Sequence, residues 1–201
     1  MNIYEQLRYK LSLSNDLPFT PDWSAAEDFL SIIADHCLDK KPGTIVECSS
    51  GLSTLVLARC CQLNKHGKVY SLENGTEYAQ KTRQQLEAFE LTDYATVIDA
   101  PLEAVTINDK DYLWYSIKSL PSQAIDMLII DGPPGFIQKH SRYPALPMFY
   151  KKLSEKCMTF LDDAARDDEK EIISLWEAEY SGIDHKYIET ERGCSILKIN
   201  N

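Results

Sequence analysis

The sequence predicts an α/β protein whose mostly parallel sheet is covered by helices on both faces. Short β-rich apolar runs alternate with segments whose apolar residues recur every three or four positions, which is the pattern of strands alternating with helices. The strand runs are apolar throughout, as expected for strands buried on both faces. Two final runs, 185–190 and 194–199, are separated by Glu191-Arg192-Gly193, which predicts an antiparallel pair at the end of the chain.

The length and composition suit one soluble domain. The 201 residues, 44% hydrophobic and 26% charged, can bury a core without disulfide bonds. A net charge of -10 argues against a nucleic-acid or membrane partner, because phosphates and anionic lipids repel an acidic surface. The N-terminus MNIYEQLRYK lacks the apolar core of a signal peptide, and no apolar run approaches the roughly 20 residues that span a bilayer. We therefore expect a cytoplasmic protein.

The cysteines predict neither disulfide bonds nor a zinc site. They are scattered, most lie inside apolar segments, and no CxxC pair or Cys/His spacing matches a metal site. We expect reduced, buried thiols in a reducing compartment. The six are Cys37, Cys48, Cys60, Cys61, Cys157 and Cys194.

The first forty residues read as a helical extension of the domain. Asp22 can cap a helix whose apolar positions follow helical spacing. Lys41-Pro42-Gly43 ends that helix, so we divide the single domain into an extension, 1–42, and a sheet-forming core, 43–201. The apolar positions are Ala25, Phe29, Ile32, Ile33 and Cys37.

The core alternates between strands and helices. Between the third and fourth strands, the stretch that contains Trp114 and Tyr115 is less regular. The predicted strands cover 44–48, 68–72, 95–100, 124–130 and 158–161. One predicted helix starts at Ser53 or Thr54, and three further helices cover 78–91, 146–153 and 169–180.

Small residues follow the first strand, where a ligand could approach the backbone closely. Ser49, Ser50 and Gly51 leave room there because their side chains are small. A tight strand–helix turn capped by serine would explain the same residues, so the loop alone is a weak signal. It also lacks the GxGxxG pattern of a dinucleotide site.

Carboxylates follow four of the predicted strands. Because ligands bind at the carboxyl ends of parallel strands, these acids should lie along the edge of the sheet that holds the site. Glu73 is the most informative, since an acid some twenty residues after the loop can accept both hydroxyls of a ribose. The acids are Glu47, Glu73, Asp131 and the pair Asp162-Asp163.

Seven segments, in this order, resemble class I S-adenosylmethionine-dependent methyltransferases, most closely the methyltransferase-24 family. The resemblance covers roughly residues 18 to 180 and implies a Rossmann-like, doubly wound, seven-stranded sheet whose last strand is antiparallel. The segments are IVECSSGLSTLVLA, VYSLE, IDAPLE, WY, IDMLIIDGPP, RYPALP and LDDAARDDE.

The resemblance also implies a cofactor site for S-adenosylmethionine. Serine stands at position 49 where the family usually has glycine, which is compatible with binding if its φ stays negative. By position, Glu47 and the Ser49–Gly51 loop with Ser53 would hold the methionine end, Glu73 the ribose, Ala100 and Leu102 the adenine, and Asp131 would face the methyl group.

Two kinds of chemistry could remove the proton of an alcohol acceptor. Asp131, Asp162 and Asp163 suit a hard divalent cation such as Mg²⁺, as in similar metal-dependent O-methyltransferases. Alternatively, Asp162 and Asp163 only cap the following helix. His140 is the candidate general base, because it follows Asp131 in a loop and an ordinary histidine titrates near neutrality.

The leading functional hypothesis is O-methylation of a small molecule or saccharide. A nicotinamide-dependent oxidoreductase is an alternative, although the missing GxGxxG and the terminal hairpin argue against it. A non-catalytic S-adenosylmethionine-binding module is the third. The sequence is also compatible with a homodimer of this chain.

Overall fold

The computed structural model describes residues 3–13, 16–19 and 24–200. The predicted cap Asp22 lies outside these residues, and the helix that it was expected to cap begins at Glu27, after an extended Ala26. The helices are α1 Ile3–Lys10, α2 Glu27–Lys40, α3 Leu52–Asn64, α4 Thr76–Ala88, α5 Ala145–Phe149 with a following 3-10 turn Tyr150–Lys152, and α6 Asp167–Glu179. The strands are β1 Thr44–Cys48, β2 Lys68–Glu73, β3 Ala95–Asp99, β4 Leu102–Ile107, β5 Lys110–Tyr115, β6 Ile125–Ile130, β7 Leu153–Leu161, β8 Ile183–Ile188 and β9 Cys194–Ile199.

Seven strands form one sheet in the order β3-β2-β1-β6-β7-β9-β8. β1 pairs in parallel with both β2 and β6, and β6 pairs in parallel with β7. β9 lies antiparallel between β7 and β8. The predicted mostly parallel sheet with an antiparallel last strand is therefore confirmed, and the strand order reverses beside β1, where open α/β sheets bind ligands.

Each face of the sheet is covered by its own hydrophobic cluster. Ile45 packs with Leu55 of α3 on one face, while its neighbour Val46 packs with Trp114 and Trp176 on the other. This alternation follows from the two-residue period of a strand. The helices of the N-terminal extension share the cluster of α3, so they complete the cover of that face rather than form a separate core.

The stretch between β3 and β6, for which the sequence predicts no regular structure, is a β-hairpin. β4 and β5 pair along their whole length, from Leu102 opposite Tyr115 to Ile107 opposite Lys110. The prediction missed β4 because its residues alternate between half-buried and exposed, so its apolar content is low. Two boundaries also differ: the helix predicted over 146–153 ends at Phe149, and β7 begins at Leu153, earlier than the expected 158.

All six cysteines are free and buried, which confirms the expectation of unpaired thiols. Among the described residues, no helix combines the length and the apolar character that crossing a membrane requires.

Candidate active site

A cavity of about 880 Å³ opens at the carboxyl ends of the central strands. We call it the rim cavity. Its volume lies near the upper end of the roughly 300–1,000 Å³ that small-molecule sites occupy. Its lining residues include Ser49, Ser50, Glu73, Asn74, Tyr78, Tyr115, Asp131, Phe136, Lys139, Arg142, Asp163, Arg166, Asp168, Glu169 and Arg192.

The loop after β1 has the backbone of a glycine loop although it begins with serine. Ser49 has a φ of 115°, which corrects the expectation that this φ would be negative. Gly51 has a φ of 155° and donates its N–H to Thr54 Oγ1 at 3.0 Å. L-residues rarely adopt such φ values, so the loop carries local strain at Ser49.

Glu47 supports this loop from beneath and does not line the rim cavity. Its side chain is fully buried, and its Oε2 accepts hydrogen bonds of 2.6 Å from Thr54 Oγ1 and from Ser71 Oγ. Burial raises the pKa of Glu47, and Oε1 has no partner. Because side chains alternate between the two faces of a strand, Glu47 points toward α3 and bonds Thr54 there. Its position therefore does not support the predicted direct contact with the methionine end of the cofactor. Gly51 and Ser53 are likewise absent from the cavity wall.

Glu73 reaches the cavity from the end of β2. Its Oε2 accepts a 2.9 Å hydrogen bond from Ser50 Oγ, and its Oε1 accepts a 2.8 Å bond from the Gly75 N–H. Burial raises its pKa, while these bonds favour the charged form. A carboxylate has about four lone-pair sites, so both oxygens keep acceptor capacity for a ligand.

Ala100 and Leu102, the residues predicted to bind the adenine, are not part of the rim-cavity wall. Ala100 is fully buried in the core, and Leu102 begins β4 and packs against the second hydrophobic cluster, so neither lines the rim cavity. The hairpin instead brings Tyr115 into the wall. A Cβ on Gly132 would lie 2.3 Å from Tyr115 Oη, so Gly132 permits the close approach of the hairpin to the loop after β6.

Asp131 and Asp163 lie on the opposite side of the cavity from Glu73. The Asp131 side chain keeps 17% exposure, whereas Asp163 keeps 4%. Burial and the neighbouring Asp162 raise the pKa of Asp131 well above its usual value, against the lowering effect of Arg142. Asp162 is fully buried behind the wall, and burial together with Asp163 raises its pKa to about 6.

Arg142 binds these acids together. Its Nη2 donates to Asp163 Oδ2 at 2.7 Å and to Asp131 Oδ1 at 3.3 Å, and its Nη1 donates to the Asp162 carbonyl at 2.8 Å. Glu169 Oε1 lies 3.7 Å from Arg142 Nε. Burial alone would lower the pKa of Arg142, but Asp131, Asp163 and Glu169 outweigh it, so the guanidinium stays charged while only 3% exposed.

Arg142 contacts the acidic cluster that the sequence assigned to a divalent ion held by Asp131, Asp162 and Asp163. One carboxylate oxygen from each of Asp131, Asp162 and Asp163 lies within 4.8 Å of the others, a spacing that suits a metal. However, Arg142 Nη2 already contacts one oxygen of Asp131 and one of Asp163. A divalent ion about 4 Å from that guanidinium would be repelled by on the order of 8 kcal/mol at an effective dielectric constant of about 20, which offsets part of its attraction to the three carboxylates.

His140 lies away from the rim cavity. Its backbone N–H donates to Asp168 Oδ2 at 2.7 Å, and its ring Nε2 lies 2.7 Å from Glu171 Oε2. The ring lines a second, smaller cavity on α6 with Lys170 and Ser174. The expected role of His140 as general base is therefore not supported by its position, because its ring is paired on another surface.

Two residues of the site were missed from the sequence. Tyr115 lies in the stretch for which the sequence predicts no regular strand, so its place in the cavity wall was not foreseen. Arg142 belongs to the segment RYPALP, which the resemblance to the family includes, but the sequence gives this arginine no role. Of the predicted site residues, Ser49, Glu73, Asp131 and Asp163 line one cavity.

Comparison with known proteins agrees with this geometry. The model of the methyltransferase-24 family, described as a methyltransferase domain, matches residues 46–164. No curated protein sequence matches the chain. The fold, a Rossmann-like sheet with a site at its switch point, and this match define the class of protein: the chain belongs to this family of class I S-adenosylmethionine-dependent methyltransferases.

Solved methyltransferase structures share the fold at low sequence identity. An O-methyltransferase from Bacillus cereus in complex with S-adenosylhomocysteine has a TM-score of 0.69 at 16% identity, over 98% of this chain and 90% of its own. The S-adenosylhomocysteine-bound methyltransferase PaMTH1 of Podospora anserina has a TM-score of 0.68 at 16% identity, over 99% and 86%. The O-methyltransferase TomG of Streptomyces achromogenes, involved in tomaymycin synthesis and bound to S-adenosylmethionine, has a TM-score of 0.67 at 13% identity, over 98% and 87%.

Proposed function

We propose that this chain transfers a methyl group from S-adenosylmethionine to a hydroxyl oxygen of a small molecule. The observation that carries the proposal is a single cavity with Glu73 on one side and Asp131 on the other. Similar structures that bind S-adenosylmethionine or S-adenosylhomocysteine and are O-methyltransferases support the same cofactor and an oxygen acceptor.

The residues around Glu73 fit the cofactor. Glu73 would accept the ribose hydroxyls, Ser49 and Ser50 would border the methionine end, and Tyr78 beside Asn74 would cover the nucleoside. Glu47 would act through the loop, since its hydrogen bonds hold Thr54 and, through Thr54, the Gly51 N–H. When bound, S-adenosylmethionine supplies an electrophilic methyl group on its sulfonium.

Asp131 is the group that we propose as general base. It lines the cavity, and burial raises its pKa well above the usual value, which makes the carboxylate a stronger acceptor for a hydroxyl proton. Arg142 holds one oxygen of the carboxylate, Oδ1, in place at 3.3 Å. Asp131 can then take the acceptor proton as the oxygen attacks the methyl group.

The far side of the rim cavity fits a ring-bearing acceptor. Pro134, Phe136 and Ile137 form an apolar wall, and Phe136 is 82% exposed at its edge. A flat apolar surface beside charged groups suits a hydroxylated aromatic ring or a saccharide. The net charge of -10 argues against a nucleic-acid or membrane-bound acceptor, and six free thiols favour the cytoplasm.

The first experiment measures cofactor binding by calorimetry with S-adenosylhomocysteine. We expect Glu73→Gln to weaken binding by about 10- to 100-fold, since a hydrogen bond to a charged group contributes about 1.5–3 kcal/mol. Glu77→Gln makes the same change on the exposed surface of α4 and should bind like the wild type. Tight binding of NAD with no response to S-adenosylhomocysteine would instead support the oxidoreductase alternative.

The second experiment measures transfer, as release of S-adenosylhomocysteine in the presence of hydroxylated aromatic and saccharide acceptors. Asp131→Asn should lower kcat by about 10²- to 10⁴-fold, the usual contribution of a general base. Wild-type kcat should rise with pH through the raised pKa of Asp131, because only the carboxylate accepts a proton. Asp99→Asn, an exposed strand-end control, should keep wild-type kcat. Unchanged transfer in Asp131→Asn would exclude this role.

A further inference from the structure

Arg142 occupies the position between strand-end carboxylates at which a divalent ion would be expected. One nitrogen, Nη2, bridges Asp131 and Asp163, while Nη1 contacts the Asp162 carbonyl. Arg142 also lines the rim cavity, so its charge lies beside the space for the acceptor. A planar guanidinium can contact two carboxylates in fixed directions, which is the orienting role that a metal ion otherwise performs.

We propose that Arg142 is the resident cation of this site, in place of a divalent metal ion, and that it positions Asp131 for methyl transfer without metal. The proposal rests on the function proposed above. Arg142 is a positioning residue: its hydrogen bond fixes the Asp131 carboxylate, and its charge neutralises the acids that would otherwise face one another.

The surroundings of Arg142 support a permanent rather than exchangeable cation. The side chain is only 3% exposed, and its partners come from the ends of β6 and β7 and from α6 through Glu169. A second guanidinium, from Arg166, lies 2.9 Å from Asp163 Oδ2, on the same oxygen that Arg142 binds. An added divalent ion at that oxygen would therefore meet two positive charges.

The test measures binding of Mn²⁺ alone by electron paramagnetic resonance, with Mn²⁺ as a stand-in for Mg²⁺. Wild-type protein should bind no Mn²⁺ in the rim cavity, whereas Arg142→Gln should gain one Mn²⁺ and a Tm increase of about 5 °C or more at saturating metal. Arg166 is half-exposed and contacts the same oxygen of Asp163, so Arg166→Gln removes an equal charge from outside the buried cluster and should gain neither. All variants also carry His140→Ala, which removes the second described cluster that could bind a metal.

Several results would overturn the proposal. The first is that the wild-type protein binds Mn²⁺ and that Asp131→Asn abolishes this binding. This measurement does not need the Arg142→Gln variant, so it decides the proposal even if that variant fails to fold. The second is an equal gain in Arg166→Gln, because net charge rather than position would then govern binding. The third is loss of wild-type transfer in EDTA with recovery in Mg²⁺. Failure to bind S-adenosylhomocysteine in any buffer would contradict only the proposed function, since the Mn²⁺ result still decides the cation.

Discussion

Ser49 is the residue at which sequence and conformation disagree most. Its φ of 115° lies in the region that favours glycine, and its Cβ lies 3.3 Å from where a Cβ on Gly132 would be. A non-glycine residue there costs about 1–2 kcal/mol. The hydrogen bond from its N–H to the Leu72 carbonyl, at 2.9 Å, helps to hold the backbone in place. The loop therefore keeps the shape of a glycine loop at some cost in stability.

Ser49→Gly should stabilise the fold. Glycine removes the strain but gains conformational freedom in the unfolded chain, so we expect a net gain of about 0.5–1 kcal/mol in the free energy of unfolding and about 1–4 °C in Tm. Calorimetric unfolding measures both quantities. Ser50→Gly is the neighbouring control, and it should destabilise, since the Ser50 hydroxyl bonds Glu73 and lies 3.2 Å from Thr82 Oγ1. Equal losses in the two variants would show that Ser49 is not strained.

Glu47 and Glu73 show how one residue type takes two roles. Glu47 is the penultimate residue of β1 and Glu73 is the last residue of β2, yet Glu47 is enclosed by hydroxyl groups and Glu73 borders the cavity. The pattern of acids after strands predicted that both would matter, but it did not distinguish the buried support from the ligand-facing side chain. Both side chains leave the same face of the sheet, because Glu47 is paired with Ser71, two residues before Glu73. The distinction therefore depends on depth along the strands: Glu73 lies two residues nearer the open edge of the sheet than Glu47 does.

The β4–β5 hairpin is the element that most changes the site. It places Tyr115 in the cavity wall, and it packs Tyr115 Oη against Gly132 of the loop after β6. This loop also carries Asp131 and contains the cis peptide Gly132–Pro133. The hairpin therefore supports the loop that presents the proposed base.

Gly132→Ala should destabilise the protein by about 1–3 kcal/mol, because its Cβ would meet Tyr115 Oη at 2.3 Å in a closely packed region. Chemical denaturation measures the change. Gly135→Ala is the matched control in the same loop, and it should be nearly neutral, since its Cβ would meet no atom within 4 Å. The double variant Gly132→Ala with Tyr115→Phe should recover part of the loss. A loss that Tyr115→Phe does not relieve would place the clash elsewhere.

At the scale of the whole molecule, the order of strands brings the site together. β2 and β6 flank β1, so Glu73 and Asp131, fifty-eight positions apart in the chain, lie at the same edge of the sheet. β7 pairs with β6 and adds Asp163 to that edge. The charge of the cavity lining is nearly balanced, because four basic residues border it beside five acidic ones. The basic residues are Lys139, Arg142, Arg166 and Arg192, and the acidic ones are Glu73, Asp131, Asp163, Asp168 and Glu169.

The sequence by itself determined the class of fold and the edge where the site lies. Continuous apolar runs, helical spacing and acids after strands are local patterns, and a parallel sheet converts them into one rim. The tertiary structure alone decided which of those acids line the cavity, that Arg142 lies among them, and that the His140 ring pairs with Glu171 instead. These contacts join segments distant in sequence, so packing, hydrogen bonding and charge balance decide them rather than any local pattern.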